Sequence, residues 1–151
     1  ARIRQGIQEK LYLGNLSSVK IIKSFHDVFI ANQSFKELKG KKLSYGQLLE
    51  HPILMLDKKS TTSEFLHSQF QQHQLDLVPE IELSSNDLLI DLARIGLGLA
   101  FIPDYCIDNS DDDLFTIDLK EKLPARELAL AYNKHLPISG ALEEFLSYFE
   151  E

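Results

Sequence analysis

Four consecutive hydroxyl side chains, Ser60-Thr61-Thr62-Ser63, are the residues in this 151-residue chain with the clearest chemical potential. They stand at the start of "STTSEFLHSQFQQH", which has helical spacing: Leu66 and Phe70 fall at i,i+4, with Phe65 beside them. Thr61 and Glu64 have the spacing of a capping box. One hydroxyl satisfies a helix start. Four exceed that need, and with the free N–H groups of the first turn they would form a small anion or carboxylate site. On these residues alone the cap is the simpler account, and both readings stay open.

Other chemistry is poorly represented. The five histidines, at positions 26, 51, 67, 73 and 135, pair neither with one another nor with Cys106 at a metal-ligand spacing. His67 and His73 are six apart and so fall on different helix faces. They read as surface or interhelical residues, and no metal and no cofactor is expected. Cys106 beside Tyr105 reads as core filling rather than a nucleophile. No nucleophile elbow or phosphate loop is present. "GLG" at 96–98 follows a helix and opens a strand, the reverse of a dinucleotide fingerprint. "DNSDDD", 108–113, lacks the central glycine and distal glutamate of a calcium loop. No paired nucleophile and base argues for an enzyme.

The elements that must position the hydroxyls follow from periodicity. "VFIA" (28–31), "PILMLD" (52–57), "LVPEIEL" (77–83), "LAFI" (99–102), "LFTIDL" (114–119) and "ELALAYN" (127–133) read as strands. "LSYGQLLEH" (43–51) reads as a short helix capped by Ser44, with Gln47 at the capping-box position. A second helix is expected from Ser84 as cap, with Asp87 at its positive end and Leu88, Leu92 and Ile95 as one face, Leu89 and Ala93 beside it. Gly96 suits the left-handed position that closes it. "PISGALEEFLSYFEE" closes the chain with Ile138, Leu142, Phe145 and Phe149 at helical spacing. Strands alternating with helices predict an α/β fold with a largely parallel sheet. "LAFI" shows no alternation and is expected to be covered on both faces. Ligands in such sheets bind beyond the carboxyl ends of the strands. Two turns qualify, Asp57–Ser63 and Ile102–Asp104.

Composition bounds the rest. Sixteen basic residues against twenty-three acidic give a net charge of −7, which argues against contact of this chain with a phosphate backbone. A single cysteine excludes an internal disulfide framework and fits a reducing compartment. No apolar run reaches the ~20 residues of a membrane span, and the N-terminus lacks a signal-peptide core. The expected location is the cytoplasm, with no membrane contact.

The stretches "FKELKGKKLSYGQLLEHPILMLDKKSTTSEFLHSQF" and "VPEIELSSNDLLIDLARIGLGLAFIP" resemble the effector-binding domain of LysR-type transcriptional regulators, and "LALAYNKHLPISGALEEFLSYF" resembles its last strand and helix. The likeness covers about residues 26–150. Its strongest marker is the helix–Gly-x-Gly–strand–Pro block from Leu88 to Pro103.

The resemblance implies a periplasmic-binding-protein-like, Rossmann-like lobe, complete for the second lobe and partial for the first. Residues 1–25 would be a remnant of the first lobe and the crossover, 26–133 the second effector-binding lobe, and 134–151 a C-terminal crossover segment and helix. It implies a small-molecule effector, a carboxylate or other anion, held by Ser60, Thr61 and Thr62 and packed against Ile102 and Pro103. The first-lobe remnant would contribute Gln8, Tyr12 and Asn15, with Glu9 and Lys10 nearby. It also implies a homo-oligomer, with helices 61–72 and 84–95 as candidate contact surfaces, and a ligand-biased hinge that re-spaces separate DNA-binding heads.

Two departures from the pattern stand out. The family's helix-turn-helix has no counterpart before residue 26, so DNA contact is expected elsewhere. One or two βαβ units of ~30 residues each are expected near Ser18–Val19 and do not occur there. The competing expectations are a periplasmic-type solute-binding lobe, a small α/β enzyme and a truncated scaffold without ligand binding.

Overall fold

The computed structural model describes residues 2–5, 18–108 and 112–132. The chain divides into two compact units, 1–25 with 125–151, and 26–124. The expected C-terminal helix and residues 8–15 lie outside the described residues.

In the first unit, β1 (Arg2–Gln5) and β2 (Ser18–Phe25) flank the last strand, β10 (Arg126–Tyr132), in an antiparallel sheet of order β1-β10-β2. A register shift interrupts the β10–β2 ladder between Leu128 and Ala129. At its start the buried Arg126 guanidinium lies 5.0 Å from the Phe25 ring centroid, a cation–π contact that lets a charge sit beside an aromatic core residue. Residues 126–132, read from sequence with the second lobe, thus pair with 18–25 and 2–5, and the second unit ends at Pro124.

The second unit runs β3 (Asp27–Ala31), a 3₁₀ segment (Gln33–Leu38), β4 (Lys42–Leu43), α1 (Tyr45–Leu48), β5 (Ile53–Leu56), α2 (Thr61–Gln72), β6 (Ile81–Leu83), α3 (Asn86–Arg94), β7 (Leu99–Pro103), a short 3₁₀ turn (Asp104–Cys106), β8 (Phe115–Thr116) and β9 (Asp118–Leu119). Its main sheet has the order β6-β5-β7-β3-β8. β5 is parallel to both β6 and β7, whereas β3 is antiparallel to β7 and β8. The sheet is therefore mixed rather than largely parallel. β3 enters where β7 ends, with Asp27 opposite Pro103, so it has no crossover helix to turn it round.

β7 explains its own unbroken apolar run. Leu99 and Phe101 face one core with Phe29, Met55, Leu66 and Phe70. Ala100 and Ile102 face a second core with Ile30, Leu54, Leu89, Ile90 and Ala93. Successive side chains point to opposite faces, and here both faces are covered, by α2 on one side and α3 on the other.

Local chemistry sets the ends of the elements. Ser44 and Gln47 form the expected reciprocal capping box, but α1 stops at Leu48 and Leu43 belongs to β4. The cap of α2 is Ser60, whose Oγ accepts from Ser63 N at 3.0 Å, not Thr61 with Glu64. The cap of α3 is Ser85, whose Oγ accepts from Leu88 N at 3.3 Å, not Ser84. Replacing Ser85 with alanine is expected to cost ~1 kcal/mol and replacing Ser84 almost nothing. Urea unfolding midpoints of the two variants check this, and equal losses would refute the assignment of the cap.

The apolar face of α3 is also rotated from the expected one. Leu89, Ile90 and Ala93 are buried, whereas Leu88, at 46%, and Ile95, at 68%, are exposed. Nine residues make barely two and a half turns, and the sheet takes the stripe that starts at Leu89. The helix ends in a Schellman motif: Leu97 N donates to Leu92 O and Gly96 N to Ala93 O, with Gly96 at φ +83°. The Asn32 side-chain amide donates to Arg94 O at 2.8 Å and covers another free carbonyl of that end.

Two expected strands are shorter than predicted. Only 81–83 of the 77–83 stretch pairs in the sheet, since Pro79 has no N–H to donate and the ladder begins beyond it. The 114–119 stretch divides at Ile117 into β8 and β9. β8 joins the main sheet and β9 pairs with β4.

Candidate functional site

Because β5, β6 and β7 run parallel, their carboxyl ends at Leu56, Leu83 and Pro103 lie along one sheet edge. Three turns issue there: Asp57–Ser60, Ser84–Ser85 and Asp104–Cys106. The first two are tied together, since Asp57 N donates to Leu83 O at 2.9 Å. The first turn is closed by Ser60 N donating to Asp57 O at 3.0 Å, and the Asp57 carboxylate accepts from Lys59 N at 3.1 Å. These bonds fix the point at which α2 starts and the direction of its first N–H groups.

The predicted site residues fall into three groups. Ser60 and Thr61 are half-buried at the mouth of the α2 turn, and Thr62 is buried at 3%. Ser60 already serves as the cap, which uses one acceptor lone pair of its hydroxyl and leaves the proton to donate to an anionic ligand. Ile102 and Pro103 are buried, and Ile102 lies wholly inside the core beside Leu89 and Ala93. Gln8, Tyr12 and Asn15 lie outside the described residues.

Neighbouring turns on this edge differ in charge. Near the end of β7, burial is the main factor pushing the Cys106 thiol up to about 11, and the carboxylates of Asp87, Asp27 and Asp104 add to it. The thiol is therefore protonated at neutral pH, which removes it as a nucleophile. The same acidic surroundings disfavour an anion there. Beyond the neighbouring strand β5, α2 presents its positive end and the turn carries two exposed cations, Lys58 and Lys59. An anionic group thus finds complementary charge at the α2 turn. Among the described residues no group of three or more His, Cys, Asp or Glu side chains is arranged to hold a metal ion.

Sequence reasoning missed two polar atoms. Ser63 Oγ and His67 Nε2 are buried and have no hydrogen-bond partner. Their i,i+4 spacing places them on one face of α2, a signal present in the sequence, but burial of that face depends on what packs beside it. His73, at the far end of α2, is different. Its ring bonds to Gln69 O at 2.9 Å and to the Glu121 carboxylate at 2.6 Å, and these bonds raise its pKa, the Gln69 carbonyl foremost.

Comparisons with known proteins give this arrangement a family. The family model described as "LysR substrate binding domain" matches residues 14–151. The HTH-type transcriptional activator CmpR of Synechocystis sp. (strain PCC 6803) is 25% identical over 123 residues, covering 80% of this chain and 40% of that protein. The chain therefore spans well under half of that curated relative. The regulatory domain of Synechocystis PCC6803 CcmR, solved in complex with 2-PG, superposes with a TM-score of 0.73 at 21% identity, over 87% of this chain and 64% of that one. The effector-binding domain of QuiR, solved in complex with shikimate, superposes with a TM-score of 0.71 at 14% identity, over 87% and 65%. The mixed sheet, the turn that starts α2 and the Gly-x-Gly entry to β7 are thus parts of a known architecture, the periplasmic-binding-protein-like one, and the chain belongs to the LysR substrate-binding domain family.

Proposed function

We propose that this chain is the ligand-sensing part of a LysR-type transcriptional regulator and performs no chemistry. A small anionic effector sits against the α2 turn, where Ser60, Thr61 and Thr62 and the first N–H groups of the helix meet its charged group. Ile102 and Pro103 support that wall from beneath the surface. Effector binding biases the domain's conformation and so controls DNA binding by a helix-turn-helix on a separate segment. The observation that carries this reading is the place of the α2 N-terminus: it opens at the carboxyl end of β5, between β6 and β7, with Lys58 and Lys59 exposed in the turn before it.

Family membership supports it, as do the bound molecules of two structural neighbours, 2-PG and shikimate, the latter a carboxylate. Self-association through α3 is part of the proposal, supported by the exposed Leu88, Ile95 and Leu97. The net charge of −7 supports the absence of DNA contact by this chain. The single cysteine supports a reducing, cytoplasmic setting, and no helix among the described residues is long and apolar enough to cross a membrane.

A thermal-shift screen of small carboxylates and phosphate esters tests the reading. A true effector at 100 times its dissociation constant adds ~2.7 kcal/mol. The double variant Thr61→Val with Thr62→Val is expected to weaken that ligand by roughly tenfold or more while lowering stability by only ~1 kcal/mol. Unchanged affinity with a loss of several kcal/mol would make the hydroxyls structural only.

A further inference from the structure

His73 ends α2 as its C-terminal cap residue, and both nitrogens of its ring are engaged. Nδ1 lies 2.9 Å from the Gln69 carbonyl oxygen, and Nε2 lies 2.6 Å from a carboxylate oxygen of Glu121. Carbonyl and carboxylate oxygens only accept hydrogen bonds. Both ring nitrogens must therefore donate, and only the imidazolium carries a proton on each. A neutral ring, in either tautomer, makes one of the two bonds and turns a bare lone pair towards the other oxygen. The geometry thus specifies a cation.

The groups around the ring favour that form. From α1, the buried Tyr45 meets it in a T-shaped contact, with centroids 4.4 Å apart at 88°. Burial first, and then the Glu121 charge, push the Tyr45 hydroxyl up from its usual 10, so it stays protonated while His73 titrates. From α2 itself come the Gln69 carbonyl and the negative end of the helix. From the segment between β9 and β10 comes Glu121, with the exposed Lys120 and Lys122 on either side of it in sequence. The Gln69 bond and then the Glu121 bond raise the pKa of His73 above its usual 6.5.

We propose that His73 and Glu121 form a proton-operated clasp between the last turn of α2 and the segment that leads to β10. The imidazolium holds both bonds, and loss of one ring proton leaves one. The bond to Gln69 is local, within one helical turn, whereas Glu121 is exposed and free to swing into water, so the long-range bond is the one released. The clasp therefore adds stability that is fully present below about pH 6.5 and is lost as the pH rises through the higher value of the folded chain. It goes beyond the effector reading above and does not depend on it.

Two signals from the isotopically labelled whole chain test it, from about pH 5 to about pH 9, the range that brackets an imidazole titration. One is the nitrogen chemical shifts of the His73 ring, identified by their loss in His73→Gln. The other is the hydrogen-exchange protection of the Lys120 amide, which donates to Leu43 O at 2.8 Å beside the clasp. Both ring nitrogens should be protonated at neutral pH, with a midpoint above 6.5. Lys120 protection should fall about twofold or more through the same midpoint, the scale of an exposed ion pair. Glu121→Gln should lower the midpoint and abolish that step. His73→Gln should abolish the step too, which decides the matter if the Glu121 variant folds poorly. A midpoint at or below 6.5, an unchanged midpoint in Glu121→Gln, or Lys120 protection indifferent to the titration would overturn the clasp.

Discussion

Phe101→Ala is expected to remove about 3–5 kcal/mol of stability, the range for a large buried aromatic cut back to a methyl group. Phe101 is 0% exposed at the centre of β7, and its ring centroid lies 4.8 Å from that of Phe29, also 0% exposed. Deleting it empties the space between β3, β7 and α2 and removes the partner of Phe29 as well. For a domain whose whole stability is ~5–15 kcal/mol, that loss brings a sizeable unfolded fraction within reach of mild denaturant. Urea titration followed by far-UV circular dichroism measures it. The control is Lys41→Ala, at an exposed residue outside the core, which should stay within ~0.5 kcal/mol of the parent. A Phe101→Ala cost no larger than the control would mean that the core is not close-packed at its centre.

Gly98→Ala is expected to cost about 3 kcal/mol for a single added methyl group. A Cβ there would sit 2.6 Å from the Pro52 carbonyl oxygen and 3.1 Å from Leu54 Cγ. That carbonyl also accepts the hydrogen bond from Leu99 N at 2.8 Å that opens the β5–β7 pairing. The clash is with backbone, so relieving it means prising apart the two central parallel strands. Gly96 makes the contrast. A Cβ there would meet Ser34 Oγ at 2.6 Å, a hydroxyl that can turn aside, and the Asn32 side chain at 3.1 Å, which need give only a few tenths of an ångström, and its φ of +83° adds a strain of ~1 kcal/mol. The larger loss should therefore fall on Gly98, although Gly96 has the more unusual backbone. The two denaturation midpoints test the order, and a reversed ranking would refute the close approach of β5 and β7 at Pro52.

Much of this molecule was legible in one dimension. The alternation of short strands and helices gave the fold class, because periodicity is a local property of the chain. Ser44 with Gln47, and Gly96 after the helix, were read correctly because a cap is decided within four or five residues. The run "LAFI" announced a strand with no exposed face, and β7 is covered on both. The helix–Gly-x-Gly–strand–Pro block carried the family, since each residue in it answers a steric demand fixed by its neighbours.

The tertiary structure decided what depends on distant partners. Which hydroxyl residue caps each helix shifted by one position, from Thr61 to Ser60 for α2 and from Ser84 to Ser85 for α3, because adjacent hydroxyls are equivalent until the strand before them fixes where the helix begins. The buried face of α3 was set by the sheet, so Leu88 and Ile95 ended outside. β3 turned out antiparallel because it enters at the end of β7, which a list of strands does not contain. The same holds for chemistry. The hydroxyl run named a turn, but the acidic surroundings of Cys106 arise from Asp27, Asp87 and Asp104, which are far apart in sequence. Ser63 and His67 became orphaned buried atoms only through what packs around α2. Residue types determine what a side chain can do, and only long-range packing determines whether water, protein or a ligand is there to meet it.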